Sequence, residues 1–192
     1  FVSNCSGKTA LAAINWACPV LMMLSAVGFM IGSGGSALIA KTLGEKKEKL
    51  ANQYFSMLVF FCLISGILLS AAGFFFMRPL FIALGASGEL LELSLSYVRI
   101  SLLSLPLFTL QNAFQALFVT AGKPRIGLAV TLAAGSTNIV LDALFIAGFG
   151  WGVNGAAAAT AIGEVVGGVI PLIYFAGKNT SFLRLSRARF DW

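Results

Sequence analysis

No histidine occurs among the 192 residues. That removes imidazole as a general base, as a metal ligand and as a proton switch near neutral pH. Charge is scarce as well: Asp, Glu, Lys and Arg make up 10% of the chain, against about 25% in an ordinary soluble domain. Cysteine is confined to Cys5, Cys18 and Cys62. This odd, dispersed set has no C-x-x-C spacing and offers neither a disulfide framework nor a zinc site, so Cys18 and Cys62 read as apolar packing. No nucleophile is paired with a base, and the chain is not expected to be an enzyme. The sequence opens on Phe1 without a methionine. Phe1–Lys8 reads as a loop rather than a signal peptide, which leads to the expectation of a fragment.

What fills the chain instead is apolar. Hydrophobic residues are 58% of it and the mean hydropathy is +0.92, with long uncharged runs recurring along the whole length. The expected fold class is all-α: a polytopic bundle of membrane helices. Five spans are predicted, at about 10–40, 54–77, 93–121, 126–147 and 155–176. In the first, Gly28, Gly32 and Ser36 repeat every four residues, a stripe of small side chains that admits a close neighbouring helix. A phosphate-cradling loop is excluded there, because no strand precedes it and no Gly-Lys-Ser/Thr follows. Lys41–Lys49 is a short charged loop or helix. Arg78-Pro79 is predicted to end span two, Leu84–Glu89 to form a turn, Pro106 to break span three softly, and Gly122–Arg125 to form a tight basic turn. Gly148–Asn154 reads as a glycine-rich turn with Trp151 at the membrane interface.

The formal charge of +6 bears on loop orientation before it bears on nucleic acid, which is not an expected partner. Numbered alternately, the loops place Lys41, Lys46, Lys47, Lys49, Lys123, Arg125, Lys178, Arg184, Arg187 and Arg189 on one side. Only Lys8, Arg78 and Arg99 fall on the other. The basic side is expected to be cytoplasmic, with the chain a multi-pass protein of a prokaryotic plasma (inner) membrane. Residues 1–177 then form one membrane unit and residues 178–192 a basic cytoplasmic linker.

A few polar residues interrupt the spans. Asp142 stands in Ser136-Thr-Asn-Ile-Val-Leu-Asp-Ala-Leu-Phe-Ile146, where a charged group at mid-bilayer would cost about 2.5–3.5 kcal/mol. Asn138 lies four residues earlier, one helical turn away on the same face. A buried carboxylate of this kind can hold a proton or a desolvated cation such as sodium. The plainer alternative is a helix-end acid within reach of outer water. Asn138 supplies an oxygen ligand or an amide, and equally serves as interhelical glue. Asn112 and Gln115 in span three and Thr160 in span five each have a bland alternative, such as Thr160 bonding its own backbone. Together they would bring oxygen ligands from three helices around one carboxylate. Glu164, one turn beyond Thr160, is a second intramembrane acid, nearer mid-membrane and harder to explain by snorkelling. Arg99 reads as a snorkelling side chain, and an Arg99–Asp142 pair would weaken the ion-site reading.

These residues lie among motifs that resemble the MATE (multidrug and toxic compound extrusion) family: Gly32-Ser-Gly-Gly-Ser-Ala-Leu-Ile-Ala-Lys-Thr-Leu-Gly-Glu-Lys46, Leu84-Gly-Ala86, Gly122-Lys-Pro124, Asn138-Ile-Val-Leu-Asp142, Leu144-Phe-Ile146 and Gly152-Val-Asn-Gly-Ala156. The resemblance implies a twelve-helix, two-lobe transporter of which this chain corresponds to helices two to six of the N-terminal lobe, with the first helix and second lobe missing. It implies export of organic cations in exchange for protons or sodium ions, with no cofactor beyond the coupling ion. It places a cation or proton site at Asn112, Asn138, Asp142 and Thr160, and leaves Glu164 and Gln115 as additional proton-responsive or substrate-facing candidates. Two departures stand out: Ala143 replaces a frequent proline after the aspartate, and Val119-Thr-Ala-Gly122 lacks a frequent arginine. The alternatives are a lipid-carrier flippase, which would need a cationic cavity that these spans scarcely supply, and a non-transporting membrane scaffold.

Overall fold

The computed structural model describes residues 2–177 and 180–185, with side chains from Gly7 onward. Among these residues every regular element is helical: α1 (Val2–Gly44), α2 (Glu48–Ala83), α3 (Gly88–Thr120), α4 (Pro124–Asp142), a π-helical turn (Ala143–Gly148) and α5 (Gly152–Ala176). Among the described residues five helices are long and apolar enough to cross a membrane, and a helix pairs its backbone N–H and C=O groups internally, as lipid requires.

The helices overrun the predicted spans. Residues 2–6 are helical where the sequence predicts a loop, but a kink at Gly7 (φ 88°, ψ 172°) sets them off from the long helix that follows; Phe1 lies outside the described residues. Pro79 does not end α2, which runs on to Ala83. The last turns are held by Met77 and Phe81, both buried one turn apart on the core face, while Pro79 sits on the exposed side. Termination falls instead to Gly85 at φ 96°: Ala86 N–H reaches back to the Phe81 carbonyl at 2.9 Å, a glycine cap of the Schellman type. Pro106 leaves α3 continuous. Lacking an N–H, it frees the Leu102 carbonyl, which accepts from Ser70 Oγ of α2 at 2.5 Å.

α3 is the axis of the bundle, packed against α1, α2 and α5, while α4 leans chiefly on α5. Small residues set these contacts. A Cβ on Gly28 would collide with the Thr109 backbone, and one on Gly32 would lie 2.5 Å from Ala113 Cα, so α1 and α3 touch almost backbone to backbone, as the Gly28/Gly32 stripe predicts. The third member, Ser36, points its hydroxyl to the Ser33 carbonyl of its own helix at 2.8 Å. On α2 the buried positions Phe55, Val59, Cys62, Gly66, Ser70, Gly73, Met77 and Phe81 recur every three or four residues, one helical face turned to α3.

Two apolar clusters occupy the two ends of the bundle. One gathers Phe81, Leu95, Leu102, Leu105, Ile146 and Val153. The other gathers Ile39, Phe55, Phe114, Phe118, Phe175 and Leu183. In the second, Phe175 lies 4.9 Å from Phe55, 5.0 Å from Phe118 and 5.7 Å from Phe114 between ring centroids. Leu183 belongs to the segment 180–185, which folds back onto this end: Leu185 N–H meets the Phe175 carbonyl at 2.9 Å and Arg184 N–H meets Asn52 Oδ1 at 2.8 Å. The remaining residues of the expected linker, 178–179 and 186–192, with Lys178, Arg187 and Arg189, lie outside the described residues.

Candidate functional site

α4 and α5 approach closely because Gly163 faces the Ala134 carbonyl and Asn138 Cβ, each 3.1 Å from where its own Cβ would stand. That lets short polar side chains on the two helices meet. Asn138 Nδ2 donates to Thr160 Oγ1 at 3.3 Å, and Thr160 Oγ1 lies 3.4 Å from the Tyr97 hydroxyl of α3. Three helices thus contribute to one hydrogen-bonded row, Tyr97–Thr160–Asn138.

Asp142 stands one turn beyond Asn138 on α4 and is half-buried. Its Oδ1 is buried and has no hydrogen-bond partner. Immediately after it the helix widens into the π turn Ala143–Gly148, with Phe149 N–H reaching the Leu144 carbonyl at 3.0 Å and Trp151 N–H the Phe145 carbonyl at 2.9 Å. π turns are rare and concentrate at functional positions. Where the family resemblance implies a proline bend, Ala143 instead begins this widened turn. Trp151, exposed at the chain's turn, stacks on Phe145 with ring centroids 5.1 Å apart, and Phe149 lies 5.6 Å from it.

The other predicted residues divide. Asn112 turns toward α1, where its Nδ2 donates to the Ser25 carbonyl at 3.3 Å, so it is tied to a different helix from Asn138 and Thr160. Gln115 is exposed. Glu164 is 9% exposed and accepts a hydrogen bond from Ser104 Oγ of α3 at 2.5 Å. Arg99 is exposed and makes no ion pair with Asp142; the ion pairs among the described residues are Lys47–Glu45 at 2.8 Å and Arg78–Glu92 at 3.6 Å. The Arg99–Asp142 pairing considered from sequence is therefore not made. Arg99 follows Val98, buried toward the core, and the next position along the helix turns it outward.

Tyr97 and Ser104 were not legible as site residues. The available signal was periodic: Ser94, Tyr97, Ser101 and Ser104 are all buried at spacings of three and four, a polar stripe along α3 facing α1 and α5. Among the described residues no group of three or more His, Cys, Asp and Glu side chains converges as a metal site. A groove of about 510 Å³ between α1 and α2 is lined by Ile31, Leu38, Tyr54, Phe60 and other apolar residues and includes none of the polar groups above.

Residues 1–144 match the family described as MatE. The chain belongs to the MatE family. It is 30% identical over 179 residues to the multidrug export protein MepA of Staphylococcus haemolyticus, a match covering 93% of this chain and 40% of that protein. It is 29% identical over 186 residues to MepA of Staphylococcus aureus strain MRSA252, covering 97% and 41%. The chain therefore spans about 40% of the length of these curated relatives. Among solved structures, a MATE protein in its bent conformation superposes with a TM-score of 0.93 at 27% identity, over 99% of this chain and 42% of that one. An outward-facing MATE family transporter of the MOP superfamily superposes at 0.91 with the same identity and coverage. As a MatE family member with five apolar helices, the chain is a multi-pass membrane protein.

Proposed function

We propose that this chain corresponds to helices two to six of the N-terminal lobe of a two-lobe MatE exporter of organic cations, and that Asp142 is the group that exchanges a proton or a sodium ion for the outgoing drug. The observation that carries the reading is the buried, unpartnered Oδ1 of Asp142 one turn from the Tyr97–Thr160–Asn138 row. A carboxylate held in an apolar bundle with an open coordination position has a standing demand for a proton or a cation. The likeness to MepA, a multidrug export protein by name, supports the substrate class.

The mechanism is competition between states. An ion or proton on Asp142 favours one arrangement of the lobe and drug binding favours another, so the ion gradient supplies a bias that drug affinity alone lacks. Asn138, one turn from Asp142, and its hydrogen-bond partner Thr160 would supply the amide and hydroxyl groups that orient the carboxylate or ligate the cation. Asn112, bound to Ser25 of α1, links the first helix of this chain to the same lobe. The turns carrying Lys46 and Lys123, together with Arg184, lie at the end of the bundle capped by the phenylalanine cluster. This end faces the cytoplasm of a prokaryotic plasma membrane by the excess of positive charge.

The test is efflux of a fluorescent organic cation from cells or inverted vesicles carrying the complete transporter, under separately imposed proton and sodium gradients. Asp142→Asn at normal protein level should abolish gradient-driven efflux, and the gradient that drives the unmutated protein names the ion. Undiminished efflux in Asp142→Asn contradicts the proposal.

A further inference from the structure

The exchange site leaves one buried acid without a task. Glu164 is on α5, 9% exposed, and its bonded neighbour is an uncharged hydroxyl, Ser104 Oγ. No Lys or Arg among the described residues makes an ion pair with it. The titratable groups that face it from the packed elements are also uncharged in their ordinary forms: the Tyr97 hydroxyl from α3 and the Cys18 thiol from α1, which lies within hydrogen-bonding reach of that hydroxyl. From α4 the nearest acid is Asp142, beyond Asn138 and Thr160. An intramembrane carboxylate that served only to hold helices together would be expected to have a cationic partner. Here it has a hydroxyl that can donate to the charged form and accept from the neutral one.

Ser104 also forms part of the wall of a cleft of about 270 Å³ between α3 and α5, with Ile100, Leu103, Ala158 and Ile162. Ser104, the partner of Glu164, therefore borders open volume rather than solid packing. The Glu164 carboxylate with the Ser104 and Tyr97 hydroxyls is too small a set to replace the six or more oxygens that a hard divalent ion takes; a proton needs only the carboxylate and one partner.

We propose that Glu164 and Ser104 form a second proton-binding site of this lobe, separate from Asp142. The step is a simple protonation: one carboxylate oxygen of Glu164 takes a proton that originates in the aqueous phase, and Ser104 turns from donor to acceptor. The site lies one turn from Thr160, so its protonation state is felt along the Tyr97–Thr160–Asn138 row. It goes beyond the transport reading and needs no transport to be tested, so the failure of one leaves the other standing.

The experiment is pH-difference infrared spectroscopy of the full chain reconstituted in lipid, comparing the unmutated protein with Glu164→Gln, Asp142→Asn and Ser104→Ala. Circular dichroism confirms that each variant keeps its helix content, and Ser104→Ala serves if Glu164→Gln does not fold, because it keeps the carboxyl. The expected result is one carboxyl protonation signal that disappears in Glu164→Gln, persists in Asp142→Asn and changes its carbonyl frequency in Ser104→Ala. The proposal is overturned if the signal is the same with and without Glu164, if it vanishes in Asp142→Asn, if Ser104→Ala leaves it unaltered, or if replacing potassium by sodium at constant pH abolishes it.

Discussion

Adding one methyl group at Gly32 should separate α1 from α3, and the structure gives the distance. An alanine Cβ there would stand 2.5 Å from Ala113 Cα, where ordinary contact begins near 3.4 Å. The helices would have to part by about 0.9 Å, and because the obstacle is backbone rather than a flexible side chain, no rotamer change relieves it. The same opening would stretch the Asn112–Ser25 hydrogen bond, now 3.3 Å, beyond a useful length. Overpacking of this kind costs about 1–3 kcal/mol, partly offset by the gain of about 1 kcal/mol that alanine has over glycine in a helix. The net expectation is a loss of about 1–2 kcal/mol. Gly34 is the internal control, since nothing lies within 4 Å of its Cβ position; Gly34→Ala should be neutral or stabilising by up to about 1 kcal/mol. Equilibrium unfolding in detergent, on the two variants and the parent, measures both. Equal effects at Gly32 and Gly34 would refute the close α1–α3 packing.

Other outcomes follow from the same contacts. Thr160→Val removes the shared partner of Asn138 and Tyr97 and should cost about 1 kcal/mol, the scale of hydrogen bonds between membrane helices, read by the same unfolding assay. Phe175→Ala takes out the ring that touches Phe55, Phe114 and Phe118 and should be among the most damaging single changes, about 3–5 kcal/mol; retention of parental stability would show that the cluster is not packed as described. Gly122 holds φ 69° at the end of α3, so Gly122→Ala should lose about 1–2 kcal/mol through the left-handed backbone, whereas Gly127→Ala, at an ordinary helical φ, should not show that conformational penalty.

Much of the architecture was legible because membrane helices announce themselves by length and hydropathy, and the small-residue stripe at Gly28 and Gly32 predicted a close helix contact, which α3 makes. The ends were less legible. Pro79 reads as a stop, yet burial of Phe81 carries the helix past it, and Pro106 reads as a break, yet Ser70 satisfies the carbonyl it frees. Both outcomes depend on tertiary partners that a single sequence does not reveal. In the site, Asn138 and Thr160 are hydrogen-bonded while Asn112 is tied to α1 instead, a division the sequence does not reveal because it does not say which helices are neighbours. Tyr97 escaped notice because a lone tyrosine in an apolar span looks like packing, and its role rests on the buried serine stripe around it. The π turn after Asp142 had no sequence signal beyond the absence of proline at Ala143.

The central claim is that Asp142 couples the ion to the drug rather than binding the drug. The most direct measurement compares two modes of the complete transporter in proteoliposomes: uphill drug movement driven by an ion gradient, and drug-for-drug counterflow with no gradient. Loss of the first with retention of the second in Asp142→Asn is the predicted result. Loss of both to the same degree, or of neither, would contradict it.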